Sequence, residues 1–476
     1  MERRPNILWI CTDQQRHDTI GALGCPVAQT HTLDRLVAEG TAFTRAYCQT
    51  PICTPSRSSF LTGRYPSSIR ANRNGQECFP EGPTLVTRLL ADAGYDCGLI
   101  GKLHLASACR RIEPRCDDGY RFWRYSHAPR DDWPEGHHYA EWVRAKGHSL
   151  NDLLKSPENV PAELHQTTWC AEETIAFIRE PRAGPWLASV NMYDPHPPFN
   201  PPRSYLDRFD PGSMPGPLFR DNSDLAHQEK LATIDFQSRP RRPHELDLRN
   251  PLLKDAQNLG ADARDLQAAY HAMIALIDDQ VAHVLAALEE TGQADHTLIV
   301  FMSDHGEALG DHGLIQKGCR FYEGLVRVPL ILCWPGRFQS GLRSSALVEL
   351  IDIAPTLLEA AGVAIPSEVQ GRSLLPILTG KVDPSCHREF VRCEYLDSED
   401  LPDGTRATMI RDERHKLVVY HGHGLGELYD LETDPGEFVD LWESSVHHQI
   451  KLDLMHRSFD AMVLGMDLGP RRIGPM

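Results

Sequence analysis

Residues 6–11 (Asn-Ile-Leu-Trp-Ile-Cys) and 297–303 (Thr-Leu-Ile-Val-Phe-Met-Ser) are short, unbroken apolar runs bounded by polar turn residues. A strand that alternates apolar and polar residues can leave one face in water. One that is apolar on both faces has to be covered on both, as the strands of a largely parallel α/β sheet are. A carboxylate follows each run, Asp13 after the first and Asp304 after the second. Positions just past the carboxyl ends of such strands line the ligand crevice of an open α/β sheet.

Further runs at 95–100, 186–192 and 328–333 alternate with helical patterns at 31–39 and 84–93. Leu266, Tyr270, Met273, Ile277, Val281, Leu285 and Leu288 recur at three- and four-residue steps, which predicts a long helix ending near Gly292 and packing on the sheet. Prolines and arginines crowd residues 195–251, where periodicity fades, so loops and an irregular insertion that could wall a pocket are expected. Beyond Gly371-Arg372-Ser373-Leu374 the pattern changes to short strands at 390–395, 407–411, 416–420 and 427–430, then a helix over 446–462. A chain of 476 residues exceeds the roughly 250–300 at which single cores stop growing. Two unequal domains are therefore expected, at 1–370 and 371–476, the second a small α+β unit.

The formal charge of −17 argues against nucleic acid as a partner, because phosphate binding needs a concentrated basic surface. An anionic substrate would need a locally positive pocket. No run approaches the about 20 apolar residues of a membrane span, and the first residues lack the form of a signal peptide. The cysteines, thirteen in number and without a Cys-x-x-Cys pair, read as reduced thiols of a cytoplasmic protein. Most are expected to be small core residues.

One cysteine stands apart. The segment Cys53-Thr54-Pro55-Ser56-Arg57, followed by Leu61-Thr62-Gly63, resembles the signature of the formylglycine-dependent sulfatases. The resemblance continues through Gly94-Tyr95, Gly101-Lys102 with His104, Asp194-Pro195-His196-Pro197-Pro198, Ser303-Asp304-His305-Gly306-Glu307 and Gly310-Asp311-His312-Gly313 with Lys317. Downstream it takes in Asp352-Ile353-Ala354-Pro355-Thr356 and Leu428-Tyr429-Asp430-Leu431, so that it covers nearly the whole chain. It implies an alkaline-phosphatase-like sandwich, α/β in class, with a large mixed sheet flanked by helices and a smaller C-terminal α+β domain with a short antiparallel sheet.

The same resemblance implies that a formylglycine-generating maturation enzyme oxidises Cys53 to an aldehyde. Its hydrate offers two geminal hydroxyls, one to attack sulfur and the other to expel sulfate as the carbonyl re-forms, which a thiol cannot do. Arg57, four residues on, would share a helix face with Cys53 if a helix starts there. Lys102, His104, His196 and Lys317 are implied to surround the sulfate, with His196 the acid for the leaving group and His104 a partner of the hydrate. Asn74 matches a pocket asparagine of the related phosphonate monoester hydrolases over a short spacing.

For the metal, Asp13, Gln14, Asp304, His305 and an oxygen of residue 53 are the expected ligands. Many sulfatases carry Asp-Asp and Asp-Asn at these two places, a calcium site. The pairs here are Asp13-Gln14 and Asp304-His305, which lowers the ligand charge and adds an imidazole. Calcium remains the first expectation and manganese the alternative. Taken singly, Asp304 and Glu307 also read as helix-start residues.

These residues lead to hydrolysis of an organic sulfate monoester, of a small molecule or a saccharide. A phosphate or phosphonate ester hydrolase with the same site is the alternative, disfavoured because phosphonate monoester hydrolases replace the lysine found here as Lys102. A non-catalytic sulfate-ester binder, with Cys53 never oxidised, is a third reading. Trp123, Tyr125, Trp133 and Tyr139 could stack on a sugar or aryl group, although aromatics in long loops more often just pack. The tail over 465–476 is the segment that could reach a neighbouring subunit in a homo-oligomer.

Overall fold

The computed structural model describes residues 4–466, apart from 110, 132, 134, 232–233, 235–239, 248–258 and 400–403. Most of the tail, and part of the 195–251 insertion, lie outside the described residues. Nine strands form the large sheet: β1 (Asn6–Thr12), β2 (Thr41–Tyr47), β3 (Asp96–Gly101), β4 (Phe122–Tyr125), β5 (Trp186–Asn191), β8 (Thr297–Ser303), β9 (Arg327–Val328), β10 (Leu330–Cys333) and β11 (Leu342–Glu349). A two-stranded ribbon, β6 (Leu246–Asp247) with β7 (Leu259–Ala261), stands apart. The order across the large sheet is β11-β2-β10-β8-β1-β5-β3-β4, with β9 beside β2.

The four strands β8, β1, β5 and β3 are neighbours and all run parallel. β10 runs against both β8 and β2, which makes the sheet mixed. The run expected at 328–333 is two strands, divided at Pro329, since proline has no N–H to give to a ladder.

β1 shows why its run carries no polar alternation. Ile7, Trp9 and Cys11 enter the apolar cluster on one face, and Leu8 and Ile10 enter the cluster on the other. The second face is covered by α1 (His31–Glu39), α3 (Gln166–Arg179) and α4 (Ala263–Glu290). The first takes α2 (Cys53–Thr62) and the antiparallel sheet β12 (Val391–Leu396), β13 (Arg406–Arg411), β14 (His415–Tyr420) and β15 (Leu425–Asp430). α5 (His448–Leu464) closes the described chain against β13 and β14.

α4 corrects one expectation: by length and composition it could cross a membrane, although 78% of its most apolar window is buried inside the protein, as in a core helix. β2, β4, β11 and α3 were not expected from the sequence. β11 lies at the sheet edge, where polar residues such as Arg343 and Ser345 face outward and mask the pattern.

Gly101 ends β3 at φ +97°, and a Cβ there would stand 1.9 Å from the Asn191 carbonyl oxygen. Only glycine lets β3 and β5 meet at this point. Gly101→Ala is expected to destabilise the fold by about 2 kcal/mol or more, read as a lower denaturant midpoint with unchanged slope.

Candidate active site

Each of the four central parallel strands delivers a polar group past its carboxyl end. Asp13 and Gln14 follow β1, Asp304 and His305 follow β8, Lys102 and His104 follow β3, and His196 lies beyond β5. Their convergence is a consequence of strand order, in accord with the crevice rule for parallel sheets. α2 begins at Cys53 itself, so residue 53 sits in the first turn, where unpaired backbone N–H groups favour negative charge.

Cys53 Sγ lies 3.1 Å from His305 Nε2, 3.7 Å from Asp13 Oδ1 and 2.8 Å from Lys317 Nζ. Burial, then the facing Asp13, pushes the thiol up to about 11, so an unmodified Cys53 would stay protonated near neutral pH. Arg57 spends its fork on the carboxylates: Nε donates to Asp304 Oδ2 at 2.8 Å and Nη2 to Asp13 Oδ2 at 3.4 Å. Its Nη1 donates to the Lys102 carbonyl and to Asn191 Oδ1.

Lys102 Nζ also pairs with Asp13 Oδ2. Burial alone would raise the Asp13 carboxyl, but the cations Lys102, Arg57 and Lys317 hold it well below the usual carboxylate range. Lys102, Lys317 and Arg57 face Asp13 and Asp304, leaving the centre one positive charge in excess. A chain of net charge −17 thus holds a locally cationic pocket.

The ring nitrogens are oriented by backbone carbonyls. His305 Nδ1 lies 2.9 Å from the Gly306 oxygen and His196 Nδ1 lies 2.7 Å from the Pro197 oxygen, so each donates there and turns Nε2 inward. Burial, with Lys317 near His196, lowers both rings, which keeps them neutral. Lys317 Nζ is 3.3 Å from each Nε2 and 3.0 Å from Gln14 Oε1. His104 adopts φ 57°, its N–H donates to Glu113, and its Nδ1 is buried without a partner among the described residues.

Asp13, Cys53, Asp304 and His305 place their ligating atoms within 4.8 Å of one another, all buried. The inward His305 Nε2 and the two carboxylates suit a divalent cation, and Gln14 Oε1 is turned the same way because Gln14 Nε2 donates to Glu307.

Glu307 is a residue that sequence reasoning misplaced. It is fully buried and accepts from Gln14, Leu309 N and Gln316 N. Its pairing with Gln14 is invisible in a linear pattern. Asn74 accepts from Thr54 Oγ1 at 2.9 Å, which sets it against the first turn of α2. Glu113, Asn191, Tyr193 and His127 were not foreseen, having no short motif around them. Of the four aromatics, Trp123 stacks on Tyr125, Trp133 packs edge-on against His137 and Tyr139 is fully buried against Trp169, so each is engaged in packing.

The sulfatase family model matches residues 5–363, and the model for the N-sulphoglucosamine sulphohydrolase C-terminal region matches 310–462. An arylsulfatase of Clostridium perfringens is 30% identical over 95% of this chain and 93% of its own. The multifunctional alkaline phosphatase superfamily protein PehA of Trinickia caryophylli is 31% identical over 92% and 91%. Among solved structures, the phosphonate monoester hydrolase of Agrobacterium radiobacter superposes with a TM-score of 0.83 at 27% identity, covering 99% of this chain and 98% of that one. The arrangement of Cys53, the paired carboxylates and the surrounding lysines and histidines is thus carried by a chain that belongs to the sulfatase family, a hydrolase of sulfuric esters within the alkaline phosphatase superfamily.

Proposed function

We propose that the protein hydrolyses an organic sulfate monoester at the S–O bond, with the hydrated formylglycine made from Cys53 as nucleophile. The observation that carries this reading is the placement of Cys53, in the first turn of α2, 2.8 Å from Lys317 and within reach of the carboxylate–histidine cluster. A maturation enzyme is the partner this requires. The cysteines are in no disulfide among the described residues, in keeping with a reducing compartment, for which we propose the cytoplasm.

Asp13, Gln14, Asp304 and His305, with an oxygen of the residue-53 hydrate, would hold a divalent ion, calcium first and manganese second. Such an ion polarises a sulfate oxygen and acidifies the attacking hydroxyl. Lys102 and Lys317 fix the tetrahedral anion from two sides. His196 Nε2 faces Lys317 and is neutral at rest. The negative charge of an incoming ester offsets the ammonium, allowing Nε2 to take a proton and pass it to the leaving oxygen.

A phosphonate or phosphate ester is the second reading, favoured by the likeness to the Agrobacterium hydrolase and to PehA. Lys102, paired with Asp13, argues for sulfate, since the phosphonate branch is expected to lack that lysine. Comparing kcat/KM on para-nitrophenyl sulfate and on a phenylphosphonate monoester decides between them, and sulfate is expected to lead.

Three outcomes follow for the sulfate reaction. Cys53→Ala is expected to lose turnover by about 1,000-fold or more, and Lys317→Ala by about 100-fold; full turnover by the Cys53→Ala protein would overturn the proposal. Dialysis against a chelator is expected to abolish the rate, with calcium restoring it and manganese as the comparison.

A further inference from the structure

Tyr193 closes the turn that carries His196. Just past β5 the chain doubles back: His196 N donates to the Tyr193 carbonyl at 3.1 Å, and the Tyr193 hydroxyl donates forward to the Pro197 carbonyl at 2.8 Å. The Tyr193 N–H donates to Gln166 Oε1 at 3.1 Å, at the start of α3. A side chain tied at both ends in this way, and only 6% exposed, has little freedom to move.

The Pro197 carbonyl that Tyr193 holds is the one that accepts from His196 Nδ1 at 2.7 Å. Two donors thus converge on a single oxygen and occupy both of its lone pairs. No backbone N–H among the described residues donates to that oxygen. The Tyr193 ring also lies against the imidazole, with centroids 4.7 Å apart, and beneath the Lys102 ammonium at 5.3 Å, a cation–π distance. The other imidazole nitrogen, Nε2, is left facing Lys317 Nζ at 3.3 Å.

An imidazole can turn about its Cβ–Cγ bond unless a partner stops it, and a carbonyl fixes an imidazole only as firmly as the carbonyl is itself fixed. A phenylalanine at 193 would fill the same space and leave the oxygen to His196 alone. The hydroxyl is therefore the part of Tyr193 that packing does not explain. Burial, and then the nearby Asp13, push the phenol well above its ordinary range, so it remains a donor.

We propose that Tyr193 is the positioning residue of the proton-donating histidine: by fixing the Pro197 carbonyl and packing on the imidazole, it keeps His196 Nε2 aimed at the leaving oxygen, and so sets how poor a leaving group the enzyme accepts. In the step concerned the Nε2–H bond breaks, its proton goes to the ester oxygen that takes the S–O electron pair, and Tyr193 keeps its own proton. Esters of alcohols, whose alkoxides do not leave unprotonated, depend on this arrangement, and esters of acidic phenols do not. The inference rests on the sulfate-ester reading given above, with His196 as its acid.

The test compares the matured wild type with Tyr193→Phe across substituted phenyl sulfates and an alkyl sulfate. kcat/KM is expected to fall by about tenfold to a hundredfold on the alkyl sulfate and by less than about threefold on para-nitrophenyl sulfate, so that its dependence on leaving-group acidity steepens. On a His196→Ala background, Tyr193→Phe is expected to add nothing. A uniform loss on all the esters, or a loss of undiminished size on the His196→Ala background, is what a merely structural role would give and overturns the proposal. A second readout needs no turnover. In protein with isotope-labelled histidine, the His196 Nδ1–H proton, identified by its absence from His196→Ala, is expected as a distinct downfield signal in the wild type and broadened by exchange with water in Tyr193→Phe. An unchanged signal overturns the positioning role. If the wild type cleaves no sulfate ester but does cleave phenylphosphonate monoesters, the sulfate-ester reading falls, and the same comparison across their leaving groups, with the proton signal, decides the role of Tyr193.

Discussion

Two carboxylates buried at the ends of adjacent parallel strands constrain the rest of this molecule. Asp13 and Asp304 have fully buried side chains, and like charges that close in a poor dielectric cannot both stay ionised unless cations meet them. Arg57 answers both from α2, and Lys102 answers Asp13 from the end of β3. The requirement fixes where α2 must start and brings Cys53 to the centre of the cluster. Removing one partner from such a network typically costs about 3–5 kcal/mol, so the cations that organise the chemistry also hold the fold together there.

The same logic reaches outward through hydrogen bonds. Glu307 holds Gln14, the Gly306 carbonyl holds His305, and the Pro197 carbonyl holds His196, each leaving one atom turned into the pocket. The small sheet takes part as well. Lys416 on β14 donates to the Phe321 carbonyl at 2.8 Å and pairs with Glu323 and Glu437, tying down the loop that follows Lys317. Lys317 is therefore positioned by a sheet whose strands come a hundred residues later in the chain.

Much of this was legible in the linear pattern, for identifiable reasons. β1 and β8 are apolar on both faces, and α4 carries a wide apolar stripe; both signals are local and strong. α2 begins at the residue where the motif places it. β11 and α3 escaped notice because edge exposure and mixed polarity dilute periodicity. Taken singly Glu307 reads as a helix-start residue, and only the tertiary fold makes it the partner of Gln14. His127 reaches His104 only because β4 joins β3, which no local pattern records.

By itself the sequence determined the α/β class, the family motif around Cys53 and the identity of the polar groups set past the strand ends, because each of these is written in residues a few positions apart. Strand order, and with it the meeting of Asp13, Cys53, Lys102, His196, Asp304 and Lys317 in one pocket, was decided only by the tertiary structure. The physical reason is distance along the chain: short-range periodicity records which face of an element is apolar, while the neighbour chosen by each strand depends on covering both faces of the whole sheet at once.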